Sequence, residues 1–174
     1  RRREILETLR IPFTVQVSAI DETPKTREGA RALVRRLAQA KAEAVAASNP
    51  AHWVLAADTI VTQQDVPIGK PKNKADAFQI LTQLQGKKHK VHTAVCLRRG
   101  KNAYTFVDTT IVHFRKMTPT EIRWYIQTGE PLDKAGGYGI QGIAGRFIHN
   151  IKGSYSNVVG LPIEKTMELF LRVG

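Results

Sequence analysis

Trp53-Val54-Leu55-Ala56-Ala57-Asp58-Thr59 is the stretch on which the fold turns. Five apolar residues in succession leave no polar face, the pattern of a short central strand covered on both sides. The run stops at Asp58, which puts a carboxylate at the C-terminal end of a central strand. Open α/β sheets place their ligands there. Asp58 could hold a metal or activate a water, or it could simply close a turn with Thr59.

Outward from this run, helical and strand periods interleave. Upstream, residues 28–47 read as a helix whose apolar stripe is Ala30, Leu33, Val34, Leu37, Ala38, Ala44 and Val45. Residues 13–17 alternate apolar and polar like a half-buried strand, and Ile5, Leu6 and Leu9 belong to a helix opening the chain. Downstream, Asn73 and Asp76 start a helix that buries Ala77, Ile80, Leu81 and Leu84 and stops at Gly86. Val91, Thr93, Val95 and Leu97 alternate with His92, Ala94 and Cys96 in a strand, with Cys96 a core residue. The turn Arg99-Gly100-Lys101-Asn102 folds that strand back on residues 104–114. Thr118-Pro119-Thr120-Glu121 is a capping box with proline at the first helical position. A glycine-rich stretch over 136–145 leads to a strand near 146–151, and a last helix from Pro162 buries Ile163, Met167, Phe170 and Leu171. The expected fold is α/β, a single domain over 1–174 with a mixed, twisted central sheet flanked by helices. A sheet of this kind calls for a short N-terminal strand ahead of Arg1.

Charge limits the ligand class. With 27 Lys and Arg against 15 Asp and Glu, the net charge of +12 favours an anionic partner such as phosphorylated small molecules, nucleic acid or an acidic membrane. The basic residues are spread out, without zinc-finger cysteines, an aromatic ribonucleoprotein motif or a long basic tail, which argues against nucleic acid. No apolar run approaches the roughly 20 residues that span a bilayer. One cysteine makes no internal disulfide, and no secretory signal is evident, so the expected location is cytoplasmic.

Against that background several side chains invite chemistry. Glu22 could join Asp58 as a second carboxylate, and Mg²⁺ commonly takes one or two carboxylates plus substrate phosphates; Glu22 could also be a solvated loop acid. Lys41 falls in the middle of the apolar stripe, where its ammonium either snorkels to water or points into an anion-binding cleft. Pro71 holds Lys70 extended, aimed at a phosphate or forming an ordinary basic turn. Arg1 and Arg2 open a helix and could bind phosphate there. The glycine-dense 136–142 segment lets backbone approach a ligand, and Gln141 could read a base edge; the alternative is a mobile surface loop.

Taken together, these pieces resemble the Maf family of nucleoside triphosphate pyrophosphatases, nearly end to end. The matching stretches are Arg1-Arg2-Arg3-Glu4-Ile5-Leu6, Asp21-Glu22-Thr23, Ala40-Lys41-Ala42, Ala56-Ala57-Asp58-Thr59 and Gly69-Lys70-Pro71. The most specific are Gly129-Glu130-Pro131-Leu132-Asp133-Lys134-Ala135-Gly136-Gly137-Tyr138-Gly139-Ile140-Gln141-Gly142 and Gly153-Ser154-Tyr155-Ser156-Asn157-Val158-Val159-Gly160-Leu161-Pro162. The resemblance implies that Asp58 is the proton acceptor and Glu22 the second acid, the two holding a divalent cation, Mg²⁺ or Mn²⁺. It implies that Lys41, Lys70, Arg1 and Arg2 hold the triphosphate, and that Arg1, Thr59 and Gln141 bear on substrate choice. The Asp58-Thr59 pair and the 133–141 stretch look like the branch acting on dTTP and UTP. The family's first motif begins with a small-residue strand and Ser-x-Ser-Pro ahead of the two arginines, a part absent here.

The expected reaction is hydrolysis of a nucleoside triphosphate to the monophosphate and pyrophosphate, as nucleotide-pool house-cleaning with a link to inhibition of septum formation. The resemblance also admits a homodimer. Rival readings are a nucleotide-binding regulator of cell division with little catalysis, a nucleic-acid binder, and a purine-directed pyrophosphatase of the inosine triphosphate type.

Overall fold

The computed structural model describes residues 1–173. Its element order is α1 (Arg2–Thr8), α2 (Ala30–Ala47), β1 (Val54–Gln63), β2 (Val66–Ile68), α3 (Lys74–Leu84), β3 (Lys88–Arg99), β4 (Asn102–Phe114), α4 (Pro119–Gln127), β5 (Ile148–Lys152), α5 (Tyr155–Val159) and α6 (Ile163–Val173). Short 3₁₀ turns at Glu130–Asp133, Ala135–Gly137 and Ile143–Phe147 fill the glycine-rich passage between α4 and β5.

The strands form one sheet in the order β2-β1-β3-β4-β5, flanked by helices as expected for a single α/β domain. Every pairing among the described residues is antiparallel, where a mixed sheet was expected. Tight turns explain much of this. Gln64 and Asp65, both with positive φ, join β1 to β2, and Gly100-Lys101 joins β3 to β4. A tight hairpin joins only antiparallel neighbours.

The apolar run at 54–57 opens a longer strand than expected. Thr59, Ile60, Val61 and Thr62 are β-branched and continue the extension, so Asp58 lies in the middle of β1 rather than at its end, opposite Ala94 of β3. Alternation puts Asp58 and Ile60 on the α2 face, where Val34, Ala38 and Ala42 pack on Ala94 and Cys96. Ala57 and Thr59 lie on the opposite face, where Ala57, Val95 and Leu97 pack with Ile5 of α1, Val159 of α5 and Leu169 of α6. Farther along that face Val61, Val91 and Val112 meet α3, α4 and Tyr138. The β2 strand pairs only with 61–63, so residues 54–60 of β1 have no strand on their outer edge among the described residues.

Several local expectations hold. Asn73 caps α3 by accepting from the Asp76 amide, and the Thr118/Glu121 capping box is complete, with Pro119 in the first turn. Others are corrected. Residues 13–17 form no strand: Val15 and Val17 stand exposed, and alternation without a partner strand cannot build a sheet. An amide pair between Gln16 and Asn49 ties this irregular segment to the end of α2 instead. The α2 stripe ends through Ala42 and Ala46, while Ala44 is exposed and Val45 half-buried. In α6 the buried positions are Thr166 and Leu169; Ile163, Met167 and Phe170 are half-buried and Leu171 is 81% exposed, because the helix covers the sheet with a narrower stripe than its apolar content suggests. The last strand starts at Ile148, the residues before it being the 3₁₀ turn.

The burial contrast gives a direct test. Leu37→Ala in the α2 stripe should cost about 2–5 kcal/mol in urea unfolding, whereas Leu171→Ala should stay within about 0.5 kcal/mol. A larger loss for the second variant would show that α6 packs otherwise.

Candidate functional site

Three charged groups meet at the middle of β1. Lys41, carried by α2, donates a hydrogen bond from Nζ to Asp58 Oδ1 at 2.7 Å and forms an ion pair with Glu22 Oε1 at 2.7 Å. The sequence left Lys41 either snorkelling or facing an anion ligand; here its ammonium is shared by the two carboxylates. Its side chain is 18% exposed and that of Asp58 13%, while Glu22 reaches in from the irregular segment before α2 and is 60% exposed. Burial opposes the charge on Lys41, but the hydrogen bonds and charges of Asp58 and Glu22 outweigh it and raise the lysine above its ordinary pKa. Asp58 Oδ2 takes no protein hydrogen bond among the described residues.

On the other face Arg2 is held by two acceptors. Its Nε donates to the Gly160 carbonyl at 2.8 Å and its Nη2 to Thr59 Oγ1 at 3.1 Å. Burial lowers the Arg2 pKa, Asp58 and Glu22 pull it up, and Arg1 pushes it down, so the arginine feels the carboxylates across the open strand edge. Ile5, packed in the core beneath α1, fixes the helix that bears it. Gly160 has φ +122°, a left-handed conformation that suits glycine.

The glycine-rich segment is a packed wall rather than a mobile loop: Gly136, Gly137, Tyr138 and Gly139 are buried. The Gly136 amide donates to the Gly69 carbonyl at 3.0 Å, and Gly136 lies against Val61, which brings the Gly69-Lys70-Pro71 turn beside it. Lys70 and Gln141 are exposed and form no side-chain hydrogen bond among the described residues; Arg1, also exposed, lies near Gly139. The structure therefore joins Asp58, Glu22 and Lys41 directly, and Arg2 with Thr59, while Arg1, Lys70 and Gln141 stand apart from those contacts.

Several supporting groups escaped the sequence reading. Glu130 accepts from the Tyr125 hydroxyl at 2.9 Å and from the amides of Ile143 at 2.8 Å and Ala144 at 3.3 Å, clamping the segment that carries Gln141. A Cβ on Gly142 would fall 2.5 Å from that carboxylate. His89 of β3 pairs with the Tyr138 hydroxyl at 2.7 Å inside the core. Thr93 and Asn157, both fully buried, lie behind Thr59. Glu130, Tyr138 and Asn157 fall within recognisable motifs, but nothing local in the sequence says which side chains they meet. Among the described residues no group of three or more His, Cys, Asp or Glu side chains converges.

Fold and site thus define an α/β protein in which Lys41 bridges two carboxylates on one face of β1 while Arg2 is anchored to Thr59 on the other. A family model of Maf-like proteins matches residues 1–173, and the chain belongs to that family. It is 48% identical over 174 residues to a dTTP/UTP pyrophosphatase of Myxococcus xanthus, covering all of this chain and 88% of the relative. It is 46% identical to one of Halalkalibacterium halodurans, over 96% of this chain and 88% of the relative. A third, from Symbiobacterium thermophilum, is 43% identical over all of this chain and 90% of the relative.

The buried His89 predicts a pH effect. Burial, with a smaller push from His113, lowers its pKa from 6.5 to about 4. Between those values the unfolded chain binds the proton and the folded one does not, so stability falls as pH drops from about 6.5 towards 4, by up to about 3 kcal/mol. Urea melts at pH 7 and pH 5 should show the loss, and His89→Gln should flatten it. An equal slope in both proteins would assign the effect elsewhere.

Proposed function

We propose that the protein hydrolyses nucleoside triphosphates, dTTP and UTP foremost, to the monophosphate and pyrophosphate. The observation that carries this is the pairing of a Lys41-bridged carboxylate couple with the anchored Arg2 at one strand edge, in a chain whose relatives bear that activity in their names. Under this reading Asp58 accepts the proton of the water that attacks the α-phosphorus, and pyrophosphate leaves. Lys41, Arg2, Arg1 and Lys70 neutralise charge growing on the phosphate oxygens, the main electrostatic device in phosphoryl chemistry. Gln141, Arg1 and Thr59 set the choice of nucleotide.

Hard carboxylate oxygens suit Mg²⁺ or Mn²⁺, and Asp58 and Glu22 already converge on one shared cation, the Lys41 ammonium. These two residues would hold the divalent ion, which would supply further charge neutralisation on the phosphates when bound. The same reading has the enzyme work in the cytoplasm on the free nucleotide pool, with the homodimer as its assembly. Among the described residues no helix is long and apolar enough to cross a membrane.

Pyrophosphate release from a panel of nucleoside triphosphates with Mg²⁺ or Mn²⁺ tests the proposal. The expected outcome is fastest release from dTTP and UTP, falling at least about a hundredfold in Asp58→Asn, the scale of a lost general base. Release unchanged in that variant would remove Asp58 from the chemistry. Nucleotide binding without release would favour the regulator of cell division.

A further inference from the structure

The geometry points to Thr93, a buried residue of β3, as the positioning residue that keeps Arg2 aimed at the phosphates. This rests on the phosphate-binding role proposed for Arg2. A hydroxyl carries one proton, and the Thr93 hydroxyl donates it to the Asn157 carbonyl at 2.9 Å. In the 2.9 Å contact between Thr93 and Thr59, Thr59 must therefore be the donor. With its proton committed, Thr59 Oγ1 turns lone pairs towards Arg2 Nη2, which donates to it at 3.1 Å. The chain of donation thus runs one way, from Arg2 through Thr59 and Thr93 to α5.

Thr93 also braces the other acceptor of Arg2. The Asn157 carbonyl it holds belongs to α5, and the Gly160 carbonyl that takes Arg2 Nε caps the same short helix. The Asn157 side chain pins this helix to the sheet through Nδ2, which donates to the Val91 carbonyl at 3.0 Å and to Thr110 Oγ1 at 2.9 Å. One buried hydroxyl therefore ties together both groups that orient the guanidinium. A half-buried arginine depends on such acceptors, because it has given up part of its water to reach its place. Three of its five N–H donors, both on Nη1 and the second on Nη2, are left for a phosphate.

The test is calorimetric binding of inorganic tripolyphosphate to the full chain, which reads the phosphate grip without turnover. Thr93→Val, nearly isosteric but unable to donate, should weaken binding about tenfold, the upper size of one neutral hydrogen bond. Thr93→Ser should restore it. Arg2→Ala should weaken binding further, and Thr93→Val added to it should change nothing more. Thr59→Val interrupts the same chain and should match Thr93→Val, which serves if the buried variant folds poorly by circular dichroism. Wild-type affinity in the folded valine variants, no recovery in Thr93→Ser, or additivity with Arg2→Ala would each overturn the inference. Absence of pyrophosphate release from wild-type protein would count against the proposed reaction and leave the binding series to judge Thr93.

Discussion

Neighbouring residues of a strand point to opposite faces of its sheet, and this constraint organises the site. Asp58 faces α2 and meets Lys41; Thr59 faces the other layer and meets Arg2. Inside a fully paired sheet those two groups would be walled off from each other. Here β2 stops at 61–63, and the outer edge of β1 over 54–60 carries no strand among the described residues, so both faces open on one border. Asp58 and Glu22 pull the Arg2 pKa upward against the larger effect of its burial.

Around this border the fold spends its polar interior. Several polar groups bear on where a charged side chain sits. Lys41 is satisfied by two carboxylates, Arg2 by a carbonyl and a hydroxyl, and the glycine-rich wall by Glu130 and by the His89–Tyr138 pair. The apolar clusters behind them are built from short β-branched and alanine side chains where α2 lies close to the sheet, and from rings and leucines where α3 and α4 stand off. The close approach of α2 is what lets a lysine on its inner face reach a carboxylate on the sheet.

Under the proposed function Lys41 is also the group whose partners would change on binding. Its charge is shared between Asp58 and Glu22. Under the proposed function an incoming phosphate would compete for the ammonium, and a divalent cation for the carboxylates. Either exchange would conserve the pairing of charges while moving it onto the substrate.

Much of this was legible in the sequence alone. Periodicity located α2, α3, α4 and the β3–β4 hairpin, because amphipathic spacing and turn chemistry are local properties. Ordered motifs picked out Asp58, Glu22, Lys41 and the arginines as a group. Distance along the chain is not distance in space, however, and the sequence placed Asp58 at a strand end, read a strand into 13–17 and allowed a mixed sheet. Only tertiary structure decided those points, since pairing depends on which edge a segment can reach. It alone shows that Lys41 joins two carboxylates, that Glu130 clamps the Gln141 segment and that Thr93 stands behind Arg2. Those contacts link residues far apart in the chain, and a hydrogen bond between distant residues leaves no periodicity for the sequence to display.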